Sequence, residues 1–133
     1  MRDSGTPIFY TLEFTSVSSG TSNAITKNLV FNDPGAIKGI TFQAIDAAGA
    51  KLERAAFFLD IQRQNQFGLT TGQTSAGCFT GTGERPYSMA NMLGSYRVTR
   101  NDQISVTLTN LSGTAAAYAH VCMILHADRD SLA

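Results

Sequence analysis

Apolar residues recur at every second position over short stretches of this chain, and each stretch ends in Gly, Asn, Asp or Pro. IFYTLEF (8–14) places Ile8, Tyr10, Leu12 and Phe14 on one face, and SVSSGTSN (16–23) then has the composition of a turn. ITKNLVF (25–31) reads as a second strand, closed by Asn32, Asp33 and Pro34. AIKGITFQAID (36–46) sets Ile40, Phe42 and Ala44 against Thr41 and Gln43, before DAAGA turns the chain. RAAFFLDIQ (54–62) sets Phe57, Leu59 and Ile61 against Asp60 and Gln62. PYSMANML (86–93) fits a short strand or an extended crossing, and SYRVTR (95–100) a strand end before an Asn101–Asp102 turn. NDQISVTLTNLSGTAAAYAHVCMIL (101–125) reads as a closing hairpin.

No stretch sustains a helical period with caps at both ends. The spacings predict a single all-β domain over residues 1–133: an antiparallel β-sandwich of jelly-roll type with about eight strands. An immunoglobulin-like sandwich shares the same pattern.

The two arms of the last segment differ. In the first, Ile104, Val106 and Leu108 face one way, and Ser105, Thr107 and Thr109 the other. The second arm is apolar on both sides. Val121, Met123 and Leu125 are expected to complete the core. Tyr118, His120, Cys122 and Ile124 then point outward, which predicts an oligomer interface.

Residues 63–83 break the alternation. RQNQFGLTTGQTSAGCFTGTG holds five glycines, five threonines and one charge, Arg63, so it reads as a long polar loop. Gln64, Asn65, Gln66, Phe67, Thr70, Thr71 and Gln73 are its candidates for contact with a partner surface. Arg2, Ile8 and Phe9, near the N-terminus, form a second candidate set.

Composition narrows the function classes. Ten basic and ten acidic residues cancel, so no basic footprint for nucleic acid or an anionic membrane exists. No apolar run approaches the roughly 20 residues of a membrane helix, and the first residues lack the apolar core of a signal peptide. The two cysteines, Cys78 and Cys122, make no disulfide framework, and both are expected to be reduced.

Catalytic patterns are missing from the sequence. No G-x-S-x-G elbow occurs, Cys78 lies in AGCFTG without a family signature, and Asp33, Asp46 and Asp102 occupy turn positions. GTGERP (81–86) neither follows a clear strand nor opens a helix, so it is no phosphate cradle. His120, Cys122 and His126 share a strand face, but neighbours two apart lie ~6–7 Å from each other, wide for a chelate. Neither a metal nor another cofactor is expected. Carbohydrate binding is the main rival reading; without Trp it would rest on Tyr87 and Tyr96, which read better as packing residues.

ERPYSMANMLGSYRVTRNDQISVTLTNLSGTAAAYAHVCMIL (84–125) resembles the C-terminal half of small jelly-roll proteins on the heads of tailed bacteriophages. Those carry a proline-led segment, then a strand, an Asn-Asp turn, an I-x-V-x-L-T-N unit and a closing strand. ITFQAIDAAGAKLERAAFFLDIQ (40–62) fits the strand, turn and strand that precede the long loop, so the resemblance covers about two-thirds of the chain. It implies a non-enzymatic head decoration, or cement, protein with no active site and no cofactor. The implied partners are the major capsid protein and further copies of the chain itself, as a homodimer or homotrimer. The implied location is the outer capsid surface of the virion, after assembly in the host cytoplasm. A vertex or spike-base protein of the virion is a neighbouring reading. The sequence departs from some cement proteins in having no long N-terminal arm before its first strand.

Overall fold

The computed structural model describes residues 7–63, 70, 72–80, 87–88 and 96–127. These form β1 (Pro7–Val17), β2 (Ile25–Val30), β3 (Gly35–Ile45), β4 (Phe57–Arg63), β5 (Thr74–Ser75), the one-turn helix α1 (Ala76–Phe79), β6 (Tyr87–Ser88), β7 (Tyr96–Val98), β8 (Gln103–Asn110) and β9 (Ala116–Ala127). One antiparallel sheet has the order β1-β9-β3-β6, with β7 also on β3, and the other the order β2-β8-β4-β5. β6 pairs with Gly39 and Ile40, and β7 with Gly35 to Ile37, so the two share one position beside β3. Each sheet therefore has four strand positions, and the order is that of a jelly roll. The expected all-β antiparallel sandwich is the observed fold.

The alternation in sequence becomes the division between inside and outside. Phe14 on β1, Phe42 on β3, Phe57, Leu59 and Ile61 on β4, Ile104, Val106 and Leu108 on β8, and Val121, Met123 and Leu125 on β9 are all buried in one core. Phe42 and Phe57 meet across the two sheets with ring centroids 5.2 Å apart. Truncating either ring to alanine would cost about 3–5 kcal/mol, because the sandwich closes only partly over the space left behind.

β3 contains a bulge. Its pairing with β9 shifts between Ile37 and Gly39, so Ile37 and Ile40 both reach the core although three positions separate them. Gly35 opens the strand where β9 passes close by. A Cβ there would lie 2.3 Å from the His126 carbonyl oxygen, so only glycine fits.

Residues 101–125 are not a hairpin. β8 lies in the second sheet and β9 in the first, and the chain between them crosses the end of the sandwich. Asn110 organises that crossing from a fully buried position. Its Nδ2 donates to the Val17 carbonyl at 3.2 Å and to the Thr114 carbonyl at 2.8 Å. Its Oδ1 accepts from the Ser112 backbone N–H at 2.9 Å. Strand periodicity reports which face of a strand is buried and carries no information on which sheet holds it, hence the difference.

The described residues of the expected loop over 63–83 include short elements. β5 adds to β4, and Ser75 caps α1, its Oγ accepting from the Gly77 N–H at 3.3 Å. At the loop's start the Arg63 guanidinium pairs with the Asp102 carboxylate and donates to the Arg97 carbonyl at 2.7 Å. Burial works against the Asp102 charge, but the Thr99 N–H at 2.6 Å and Arg63 outweigh it, so its pKa falls below the usual value. Among the described residues no helix is long and apolar enough to cross a membrane.

Candidate functional site

The outward side of the first sheet is the candidate site. β9 is its middle strand, paired with β1 on one side and β3 on the other, and the register lines residues up in rows. Phe9, Ile124 and Gly39 form one row; Thr11, Cys122 and Thr41 the next; then Glu13, His120 and Gln43; then Thr15, Tyr118 and Ile45. Since strand side chains alternate, these rows face away from the core that Val121, Met123 and Leu125 fill. All four predicted interface residues, Tyr118, His120, Cys122 and Ile124, sit there half-buried.

Phe9 joins them. It is 65% exposed, the most exposed of the large apolar side chains described. With Thr11, Thr41 and the four β9 residues it borders a hollow of about 370 Å³. Sequence reasoning placed Phe9 in a different contact set, because only the β1–β9 register puts it beside Ile124. Ile8, its predicted companion, points to the other side of β1 and is half-buried there.

Three polar groups set the electrostatics of the face. Burial pulls the His120 pKa below its ordinary value, and the Glu13 carboxylate opposite opposes that shift. Burial also raises the pKa of the Tyr118 phenol, as does the Glu13 carboxylate near it. The Nδ1 atoms of His120 and His126 are sealed from water and have no hydrogen-bond partner. The Tyr118 and His120 rings lie 5.6 Å apart, tilted against each other.

The predicted loop contacts divide. Thr70 is 9% exposed, and its Oγ1 accepts from the Ile61 N–H at 3.0 Å, so it serves the fold. Gln73 is exposed and donates to the Thr109 hydroxyl at 3.0 Å. Arg2, Gln64, Asn65, Gln66, Phe67 and Thr71 lie outside the described residues.

The residues weighed for chemistry stay apart. Both cysteines are free thiols, Cys78 exposed and Cys122 half-buried. Among the described residues no three of His, Cys, Asp and Glu gather as a metal would require. Tyr96 packs against the core with the Arg63 guanidinium 5.6 Å over its ring, whereas the side chain of Tyr87 lies outside the described residues. A second hollow, of about 330 Å³, lies where β3 turns toward β4, between Phe42, Ile45, Leu52 and Arg54. Arg54 is already engaged there with the Thr80 carbonyl.

No protein-family model matches this sequence, and no curated protein is significantly similar to it.

Proposed function

We propose that this protein is a non-enzymatic structural subunit of a bacteriophage virion, a decoration protein that binds the outer surface of the head and holds the major capsid lattice together. One observation carries the reading: the sandwich keeps a partly apolar face, Phe9, Ile124 and Tyr118 with half-buried His120 and Cys122, on the outside of an otherwise complete core. Each large apolar side chain moved from water into a contact is worth about 1.5–3 kcal/mol. A face of this kind is expected on a protein that works as part of an assembly. The resemblance of residues 84–125 to phage head proteins supplies the kind of assembly.

In this reading the two contact regions have separate tasks. The outward rows of β1, β9 and β3 join copies of the chain, and the loop that begins at Arg63 and includes Gln73 meets the shell. A polar, nearly uncharged loop suits that task, since amide and hydroxyl groups exchange water for protein partners at little desolvation cost. Repetition on the lattice multiplies contacts that are individually weak.

Co-sedimentation tests the proposal. Mature shells of the phage that encodes the chain, stripped of or lacking decoration, are mixed with the purified protein at micromolar concentration. Saturable binding at a fixed number of copies per capsomer is expected. Shells that sediment without it overturn the proposal, and glycan-dependent binding in its place supports a carbohydrate-binding module.

A further inference from the structure

We infer that the outward side of the β1-β9-β3 sheet packs against the same side of a second copy, two-fold symmetrically, with Cys122 at the centre of the contact. The inference rests on the assembly reading and deepens it by giving the symmetry and packing of the contact between copies.

Size, charge and shape select the second copy. The paired length of β1 and β9 covers eleven positions of β1, Pro7–Val17, which at ~3.3 Å per residue is about 36 Å. Three strands ~4.8 Å apart are about 14 Å wide, so a face offers about 500 Å² and a stacked pair about 1,000 Å². That reaches the lower bound for specific association, which leaves little room for an occupant that covers only part of the face.

In the four rows from Phe9 to Thr15 the only formal charge is Glu13, exposed beside His120 and Tyr118. Two such faces meet without strong repulsion, as does a chain whose ten basic and ten acidic residues cancel.

The same face also carries a knob and a hollow. Phe9 projects at 65% exposure beside the hollow of about 370 Å³ that Tyr118, His120 and Cys122 help to line. An isologous contact uses one patch twice, so the Phe9 ring of each copy enters the hollow of the other. A two-fold axis lying between the sheets over the middle strand, parallel or perpendicular to it, sets Cys122 over its own symmetry mate.

Sedimentation equilibrium of the full chain from about 1 to 100 μM tests this. A monomer–dimer equilibrium is expected. Thr11→Arg, on the exposed side of β1, should weaken it at least tenfold, and Phe9→Ala should also weaken it several-fold. Thr26→Arg, on the opposite sheet, should leave it within twofold. Far-ultraviolet circular dichroism and thermal melting verify that each variant is folded. Maleimide labelling gives a second readout, with Cys122 protected in the dimer and released in Thr11→Arg while Cys78 reacts equally in both. A monomer throughout, a trimer, or a dimer indifferent to Thr11→Arg and Phe9→Ala overturns the inference. A dimer that fails to bind shells overturns the capsid reading alone, and a monomer that binds them overturns this inference alone.

Discussion

The two sheets of this sandwich are built from the same alternating strands, yet their outward sides differ in chemistry. On the second sheet polar groups close on one another, beside exposed Val30 and half-buried Phe58. Thr26 and Thr107 share a hydrogen bond at 2.8 Å, and the Ser105 hydroxyl donates to Asn28 Oδ1 at 2.8 Å. Gln62 donates to the Asp60 carboxylate at 2.6 Å. On the first sheet the corresponding positions hold Phe9, Ile124, Tyr118 and Cys122, and two imidazole nitrogens have no partner. A face whose hydrogen bonds are complete among its own residues and water gains little from a partner. One that exposes apolar side chains gains from being covered.

The largest expected effect comes from placing a charge on each face in turn. Ile124→Asp puts a carboxylate where the first sheet would be covered, and an uncompensated buried charge costs about 3–5 kcal/mol. Association should therefore weaken more than 100-fold while the melting temperature changes little, because Ile124 points away from the core. Asn28→Asp puts the same charge on the second sheet and keeps an oxygen to accept from Ser105, so self-association should not change. Analytical ultracentrifugation reads both. Equal responses would erase the distinction between the sheets, and unfolding of Ile124→Asp would make its side chain ordinary core.

Much of this contrast was legible in the residues themselves. The alternation of Ile104, Val106 and Leu108 with Ser105 and Thr107 marks a strand with one wet face, and the structure has that arrangement. The apolar character of both sides of 118–125 likewise marks a strand with two apolar faces, one of which fills the core. What the pattern lacks is register and sheet membership. Nothing in residues 8–14 says that Phe9 will lie opposite Ile124, since strands far apart in sequence are paired by the whole fold. Nothing in the period distinguishes a β8–β9 hairpin from a crossing between sheets; the buried Asn110 that ties the crossing together looks from sequence like any turn residue. The β3 bulge did leave a trace, because Ile37 and Ile40 are both apolar at a spacing that no regular strand uses to fill one face.

A smaller effect separates the sheets by pH. His120 lies on β9 in the first sheet, so its titration acts on that face. Burial already holds the His120 pKa below its ordinary value, with Glu13 on β1 opposing; Gln43 on β3 and Tyr118 and Cys122 on β9 complete its surroundings. A second copy removes more water and lowers that pKa further. The dissociated state then binds more protons than the dimer, so association is strongest above the His120 pKa of the free chain, itself below the ordinary histidine value, and weakens as pH falls through it. Between pH 7.5 and 5.5 a loss of about three- to tenfold in affinity is expected, and His120→Gln should flatten the profile. A pH-independent affinity in the parent protein would mean that His120 stays in water.

The smallest effect belongs to the second sheet. Thr107→Val keeps the branched shape that suits a strand and removes the hydroxyl that faces Thr26. Thr26 is exposed, so water replaces the lost partner and no polar group is stranded. A loss of about 0.5 kcal/mol is expected, a shift of roughly 2 °C in melting temperature, with no change in oligomeric state. The oligomeric state is the more decisive of the two readouts. If one added methyl group were enough to make the second sheet self-associate, the contrast between the faces would rest on a few hydroxyls. If it is not, the difference lies in the whole arrangement of the first sheet: a projecting ring and a hollow beside it.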